Sequence, residues 1–315
     1  MRLGISIKTC LAAWAALAGP CAFAQAEAPF QISSETGVGY ESQTSPLIRL
    51  SPQGELISLD GLQRLGGTSY RIGLQTFANW QLGNNWGASL AADFSQKKLP
   101  TAPDFDFGMV SIQPSMHMAV GTASVGWGGT LQRIDVGGRA FREVRGAQFT
   151  WTLPQASGNL WMAIADLGSN RHGEEFSDLD ASTASVTVQH HVARPLLGLE
   201  GIDIAAFVAR ERNEKGFVEL SHTSAMLSTS IQWRWQDILW SAGASLQHVQ
   251  FDGTAFASEP LRVDRATGID LAAEHKISGR TTVRIEYSEV RNVSSISLYD
   301  NSFQQFGVKF RTTWQ

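Results

Sequence analysis

The chain has 315 residues, of which 43% are hydrophobic and 17% charged, and it contains 30 glycines and 10 tryptophans. The formal net charge of -4 is spread along the sequence without a block of lysine or arginine, which argues against a nucleic-acid-binding surface. The charged fraction lies below the roughly 25% of a soluble domain, and beyond the first residues no run reaches the roughly 18 apolar residues of a transmembrane helix.

Residues 1–24 have the pattern of a cleaved signal peptide. Arg2 and Lys8 supply a positive start, residues 10–17 an apolar stretch, and residues 22–24 (AFA) a small-residue cleavage site. Cleavage at this site would remove both cysteines, so the remaining chain can form neither a disulfide nor a thiolate metal site. We therefore expect export across the inner membrane.

Beyond the signal peptide, apolar and polar residues alternate with a period of two in segments of about ten residues. In the segment 70–81 the even-numbered positions are largely apolar and the odd-numbered positions are mostly polar or small. The segments 86–94, 202–208, 269–274, 283–287 and 305–314 alternate in the same way. A helix would scatter the charged residues over the apolar stripe, so the pattern predicts β-strands with one apolar and one polar face.

Connections of two kinds alternate between these strands. Short turns are predicted near residues 82–85, 114–117, 154–158, 194–200, 236–237 and 276–280, and longer loops near 42–67, 97–106, 129–141, 169–181, 212–222, 252–264 and 291–302. This alternation predicts an all-β fold, a single antiparallel transmembrane β-barrel of about 14 strands in the outer membrane of a Gram-negative bacterium. The barrel is expected over residues 32–315, after a short periplasmic segment at 25–31, with both termini on the periplasmic side.

A soluble β-sandwich is the alternative fold. It would have to cover the apolar strand faces with a second sheet, while the opposite faces carry many charges. The barrel interpretation is favoured because lipid covers one face and a polar interior accommodates the other.

Tryptophan placement gives an independent indication of the membrane. Aromatic rings prefer the membrane–water interface, and most tryptophans flank the short turns or close the chain. We predict a periplasmic aromatic girdle formed by Trp80, Trp86, Trp151, Trp161, Trp233, Trp235, Trp240 and Trp314. Trp127 alone is expected at the opposite end.

The last strand carries a further signal. Its alternation resembles the C-terminal pattern by which the barrel assembly machinery recognises its substrates, although the chain ends on Trp314-Gln315 instead of on the aromatic residue. The residues of this expected assembly signal are Phe306, Gly307, Val308, Phe310, Thr312 and Trp314.

Two stretches resemble a known family. Residues 295–303 (SISLYDNSF), followed by 305–310 (QFGVKF), look like the last loop and strand of the barrel domain in surface lipoprotein assembly modifier (Slam-type) proteins. Residues 136–141 (VGGRAF), leading into 148–151 (QFTW), are similar to a loop-and-strand passage of the same barrels.

The resemblance implies a 14-stranded barrel that translocates a surface lipoprotein, with a co-encoded lipoprotein or a periplasmic protein as its partner. The chain departs from the family in two respects. Only residues 25–31 are expected between the cleavage site and the first strand, where the family carries a helical-repeat domain, and residues 301–303 (NSF) stand in place of the usual basic residue after the tyrosine segment.

Residues with catalytic or metal-binding chemistry are sparse. His190 and His191 are adjacent, but successive strand residues point to opposite faces, so the two cannot chelate one metal. Ser221-His222, near Glu219, invites a hydrolase interpretation, yet no spacing places a nucleophile within reach of a base. The glycines at 126–129 and 137–138 lack the helix of a phosphate site and indicate strand bends or turns. We expect no catalysis, metal or cofactor.

The polar strand faces predict the lining of the barrel. Charge on the lipid face would cost about 2–4 kcal/mol near the midplane, so these side chains should point inward. The expected lumen-lining residues are Arg71, Gln75, Asp93, Asp270, Glu274, Arg284, Glu286, Lys309 and Arg311. Two interpretations stay open: the charges pair across neighbouring strands and fill the barrel, or they form the charged wall of a channel.

An outer-membrane channel is the favoured function, either porin-like or for export of a polar solute, a polysaccharide or a surface lipoprotein. A barrel of about 14 strands is closer to the water-filled 16-stranded porins than to the filled 8-stranded barrels. A structural or adhesive barrel that displays surface loops is the alternative, and a barrel hydrolase is a third. Loop 42–67 suits display, or folds inward as a plug. Outer-membrane lipid and the assembly machinery are the expected partners.

Overall fold

The computed structural model describes residues 30–50, 56–193, 198–254 and 260–314, with side chains at all of these positions except 44–50 and 56–65. The predicted signal peptide, residues 1–24, lies outside this part of the chain. Within it, no helix is long and apolar enough to cross a membrane.

The chain folds into a closed antiparallel barrel of 14 strands, in which each strand pairs with its sequence neighbours and β1 pairs with β14. This confirms the predicted all-β barrel. The strands are β1 (Phe30–Leu50), β2 (Leu56–Gln81), β3 (Trp86–Lys98), β4 (Phe107–Val120), β5 (Ala123–Val136), β6 (Arg139–Pro154), β7 (Leu160–His172), β8 (Ala181–Ala193), β9 (Leu199–Asn213), β10 (His222–Trp235), β11 (Ile238–Phe251), β12 (Val263–Lys276), β13 (Thr281–Ser294) and β14 (Asn301–Trp314). The first strand begins two residues before the expected boundary, because Phe30 and Gln31 already pair with β2.

The barrel has two different ends. What we call the turn end carries the described chain termini and tight connections at 82–85, 121–122, 155–159, 236–237 and 277–280. The loop end carries longer connections, including 99–106, 173–180, 214–221 and 295–300. Short 3₁₀ helices lie in three of these loops, at Pro103–Phe105, Glu174–Leu179 and Ser297–Tyr299. This short-and-long alternation is the one that the sequence predicts.

Two predicted connections are wrong. Residues 114–117 lie inside β4, and the turn comes later, at 121–122. Pro114 lacks an N–H group, so pairing with β5 breaks between Ile112 and Ser115 while pairing with β3 continues through Leu90. The predicted loop 129–141 shrinks to the two residues Gly137-Gly138, because both adopt positive φ angles (59° and 76°) and close a tight hairpin.

The predicted loop 42–67 is also wrong in form. Its described residues, 42–50 and 56–67, belong to the strands β1 and β2, which stay paired from Thr44 and Arg64 up to Leu50 and Leu56. The strand pairing continues past Pro46, where the register of β1 and β2 shifts. The pairing of β1 with β14 ends at Thr44, so the hairpin extends as a two-stranded ribbon past its neighbours.

The orientation of the two ends gives a first test. We expect a cysteine at Glu174, in the loop 173–180, to react with a membrane-impermeant maleimide in intact cells, because long loops face the cell exterior. A cysteine at Ala156, in the turn 155–159, should react only after the outer membrane is permeabilised. Fluorescence of the labelled band measures both, with the unsubstituted chain as control. Equal labelling of both positions in intact cells would refute the proposed orientation.

Candidate functional site on the inner wall

The two faces of the strands differ in polarity, and this difference shows which face points into the barrel. One face exposes large apolar side chains, among them Leu167 (66%) and Leu246 (60%). On the other face, side chains of strands that are not adjacent meet: Arg71 on β2 donates to Gln305 on β14 at 2.7 Å. Side chains converge in this way on the concave side of a barrel. The polar face is therefore the inner wall.

A ladder of opposite charges runs along this inner wall from β12 to β3. We call it the charged ladder, and its members are Glu35, Glu41, Arg71, Lys97, Glu274, Arg284, Glu286, Gln305, Lys309 and Arg311. Two pairs of cations are directly opposite each other in the register, Arg284 with Lys309 and Arg71 with Lys97. Each pair shares a carboxylate, Glu286 for the first and Glu41 for the second, which offsets the repulsion of like charges on neighbouring strands.

The first half of the charged ladder contains five of the predicted residues. The Arg284 guanidinium lies 3.7 Å from Glu274 and 3.6 Å from Glu286. Lys309 contacts Glu286 at 2.7 Å and Glu35 at 3.6 Å, so it links β13 to β1 across β14. Arg311 also binds Glu35, at 2.9 Å. The predicted charges are thus paired with one another and with β1.

Glu41 forms the centre of the second half. Its carboxylate accepts from Arg71 at 2.6 Å and from Lys97 at 2.7 Å, and only 4% of the residue is exposed. Gln305 joins the two halves, since it accepts from Arg71 and donates to Glu286 at 3.0 Å. The charged ladder therefore continues across the seam between the first and last strands.

Sequence reasoning missed Glu35, Glu41, Lys97 and Gln305. The signal existed in β1, where Glu35, Gly37, Gly39 and Glu41 occupy alternate positions opposite Val38 and Tyr40. Lys97 was assigned to a loop, although β3 extends to Lys98.

Three predicted lumen residues lie on the inner wall outside the charged ladder. Gln75 and Asp93 are directly opposite each other on β2 and β3, and Asp93 accepts from Ser111 at 3.3 Å. Asp270 lies on β12 between Gly243 and Ser288, and its Oδ2 atom is buried without a hydrogen-bond partner among the described residues. These two carboxylates have no ion pair within 4 Å in the described part of the chain.

Glycines on β1 make room for the charged ladder. A Cβ atom at Gly37 would lie 2.8 Å from the Val308 carbonyl oxygen and 3.0 Å from Lys309 Cγ. At Gly39 it would lie 2.6 Å from the Phe306 carbonyl oxygen. The long side chain of Lys309 can lie flat on the wall because no side chain stands beneath it.

The inner face of the strands from β8 to β11 has a different chemistry. Hydroxyl groups recur on the inner face of strands β8, β10 and β11, between longer side chains such as Gln189, Met226 and Gln247. We call these hydroxyl positions the hydroxyl wall; they are Ser185, Thr187, Ser224, Ser228, Ser230, Ser241 and Ser245. Asp166 and Asp203 lie beside it and accept from Ser185 at 3.4 Å and Ser230 at 3.3 Å. The ion pairs of the charged ladder are thus confined to the strands from β12 to β3, and hydroxyl groups recur on β8, β10 and β11.

The predicted girdle tryptophans all lie on the outer face near the turn end, as the strand register places them. Trp233 and Trp240 are paired directly and stack at 6.3 Å between ring centroids, and Trp161 stacks on His190 at 4.0 Å. The expectation for Trp127 is wrong. It lies near the turn end of β5 and contacts Trp86 edge to face at 5.5 Å, because β5 begins at Ala123, later than expected.

Fluorescence quenching tests the girdle. We expect brominated lipids to quench the tryptophans most strongly when the bromine lies near the headgroup, since indole rings favour that depth. A tryptophan substitution in the lipid-facing centre, at Leu227 (53% exposed), serves as a mid-bilayer control. Strongest quenching of the unsubstituted chain by mid-chain bromine would contradict the girdle.

The expected assembly signal forms the outer face of β14. Phe306, Phe310 and Trp314 are 41–50% exposed there, whereas Gly307 faces inward opposite Gly39. Recognition by the assembly machinery stays a prediction.

The two sites considered for other chemistry are held by local contacts. His190 and His191 point to opposite faces, with His191 bound to Asp203 at 2.8 Å on the inner side. The Ser221 hydroxyl accepts from the Asn213 N–H at 3.0 Å and lies 3.4 Å from the Phe217 carbonyl, while His222 packs on Phe251. The described residues contain no group of three or more histidine, cysteine, aspartate or glutamate side chains suited to a metal.

Comparison with known proteins identifies fold similarity at low identity. No protein-family model and no curated protein sequence matches the chain. Among solved structures, a loop L8 deletion mutant of OmpT, an outer membrane protein of Vibrio cholerae, aligns with a TM-score of 0.48 and 11% identity over 91% of this chain and 100% of that one. OccK9 (OpdG) of Pseudomonas aeruginosa aligns with a TM-score of 0.47 and 8% identity, over 90% of this chain and 98% of that one. An anion-selective porin from Comamonas acidovorans aligns with a TM-score of 0.45 and 10% identity, also over 90% of this chain and 98% of that one.

Proposed function

We propose that this chain is an outer-membrane channel for polar solutes. The observation that carries the proposal is the closed 14-strand barrel with an apolar outer face and a polar inner face. A strand face that exposes Ile72, Leu167 and Leu246 is suited to lipid, and closure leaves no unpaired edge in the bilayer. Charged side chains at membrane depth have to contact water or one another. The charges of the inner wall form ion pairs, and they face the interior of the barrel, which can hold water.

The inner wall supports a water-filled lumen. The charged ladder satisfies its own charges and lies against glycines, so it takes up little of the interior. The serine and threonine side chains of the hydroxyl wall are short, although longer side chains such as Gln189, Met226 and Gln247 stand between them. We infer that ions and small polar molecules pass between the two walls, where hydroxyls and carboxylates replace part of their hydration.

Conductance tests the proposal. Purified full-length protein in planar bilayers should give discrete ion-conducting steps. A second form, in which residues 46–62 are replaced by a two-residue turn, keeps the Ser45–Gln63 backbone pair and removes the extended hairpin. If the hairpin obstructs the lumen, this form should conduct more than the full chain. Silence of both forms, with the barrel shown to be folded, would refute the channel.

The finer proposal is export of a surface lipoprotein. It rests on the resemblance of residues 295–310 and 136–151 to Slam-type barrels, which in this structure include the last loop with β14 and the hairpin with β6. Surface display of a co-encoded lipoprotein, compared between cells with and without this chain, tests it. Unchanged display would leave a solute channel as the function.

A display barrel is the second candidate. It is favoured by the β1–β2 hairpin, whose backbone pairing continues past the neighbouring strands. Folded, silent barrels in the conductance test, together with loss of cell adhesion in the shortened form, would support display.

A further inference from the structure

Basic side chains on the outer face are confined to the loop end. Among the described outward-facing strand positions, those near the turn end carry no lysine or arginine, whereas those near the loop end carry Lys98, Arg133, Arg145, Arg171 and Arg210, and three further arginines. The outer face is therefore asymmetric along the barrel axis, with tryptophans at one end and cations at the other.

The five cations just named have acidic partners. Lys98 binds Asp106 at 2.8 Å, and its hydrogen bond, with that of the Leu99 N–H, lowers the pKa of this carboxyl below its ordinary value. Arg133 binds Asp135 and Arg145 binds Glu143, at 3.1 and 3.2 Å. Arg171 binds Glu214, and Arg210 binds Asp252. These pairs neutralise one another without an external ion.

The three further arginines, Arg212, Arg265 and Arg291, are exposed and have no acidic partner within 4 Å among the described residues. Arg265 and Arg291 are diagonal neighbours on β12 and β13, because Arg265 pairs with Val293 and Arg291 with Thr267. Such positions lie about 7–8 Å apart, within reach of two long side chains. Glu289 lies two residues before Arg291 on the same face, and its carboxylate keeps its charge while it accepts from the Tyr287 hydroxyl at 2.7 Å. It forms no ion pair within 4 Å with either arginine.

Two neighbouring guanidinium groups, neither of them paired with a carboxylate, repel each other unless an anion lies between them. His248 is directly opposite Arg265 on β11 and adds a third nitrogen donor to the same outer surface. Toward the middle of the barrel this surface becomes apolar, with Leu246, Ile269 and Leu271 exposed by 60%, 47% and 51%. A ligand for this surface must be anionic at the loop end and apolar toward the middle.

We propose that Arg265 and Arg291, with His248, bind the phosphate of a phosphorylated glycolipid in the leaflet that surrounds the loop end. The acyl chains lie along Leu246, Ile269 and Leu271. Guanidinium groups suit a phosphate because their N–H donors match its oxygens in pairs. The proposal rests on the membrane placement proposed above, but not on conduction.

Lipid retention by the purified full chain tests the site. Lipid A and the same lipid without its phosphates are added in detergent, and native mass spectrometry measures how much of each stays bound. Each arginine near an anionic lipid contributes about fivefold in affinity, so Arg265→Gln with Arg291→Gln should lower retention of lipid A about 30-fold. Arg145→Gln, an outward cation at the same end that is paired with Glu143, is the matched control and should retain lipid A as the unsubstituted chain does.

Two results would overturn the site. The first is that the double variant retains as much lipid A as the unsubstituted chain does, and the second is that the unsubstituted chain binds the lipid without phosphates as well as it binds lipid A. Both variants change exposed polar positions, and a gel assay for the heat-resistant folded barrel confirms that each is folded. The conductance of the double variant distinguishes a failure of the lipid site from a failure of the proposed channel. It should match that of the unsubstituted protein, and a chain that binds lipid A but never conducts would contradict the channel alone.

Discussion

Replacing Lys309 and Arg311 by serine is expected to shift the ion preference of the channel toward cations. Lys309 lies between Glu286 and Glu35, at 2.7 and 3.6 Å, and Arg311 holds Glu35 at 2.9 Å. Without them, Glu35 is left without a cation and Glu286 keeps only Arg284, at 3.6 Å. Two positive charges leave the wall and a carboxylate is uncovered, so both changes favour cations.

Reversal potentials in a salt gradient across a planar bilayer measure this preference. Low ionic strength should enlarge the difference between variant and unsubstituted protein, because salt screens the charges of the wall. Arg133→Ser with Arg145→Ser removes the same charge from the outer face and is the matched control. A reversal potential unchanged in the Lys309/Arg311 variant, or changed equally in the control, would show that the charged ladder does not set the preference.

The sequence was sufficient for the strand faces because their signal is local. Side chains of a strand alternate between its faces, so the inward direction of Arg284 and Lys309 follows from their own neighbours. The partners of these residues could not be found in the same way. Arg311 and Glu35 are separated by 276 positions and meet only because β14 closes on β1 in one register.

Pairing between strands, which local sequence does not reveal, also explains the errors at the strand ends. The ranges 114–117 and 42–67, which contain Pro114 and Pro46, were predicted as connections, yet β4 and β1 continue through both prolines, each paired with a neighbouring strand. The error for Trp127 has the same origin. The turn lies at Gly121-Thr122, later than predicted, so Trp127 lies near the turn end of β5 and contacts Trp86. Local residue types predict which face a side chain occupies better than they predict where a strand ends.

The largest loss of stability is expected from Glu41→Leu. This carboxylate is 4% exposed and holds both Arg71 and Lys97, whose side chains are 26% and 21% exposed. Its removal leaves two partly buried cations facing each other, which should lower the free energy of unfolding by about 3 kcal/mol. This value is at the lower end of the range for a broken buried ion pair, because both cations keep part of their surface exposed.

Urea unfolding of the barrel in lipid vesicles, followed by tryptophan fluorescence, measures that loss. A triple variant that also carries Arg71→Leu and Lys97→Leu should recover most of it, because no unpaired charge remains and the cost of burying three charges is removed. Glu143→Leu, which breaks an exposed pair with Arg145 on the outer face, should change the free energy of unfolding by less than about 1 kcal/mol. Recovery in the triple variant would show that the penalty lies in the unpaired cations, whereas a further loss would mean that packing of the three side chains at the seam between β1, β2 and β3 stabilises the barrel.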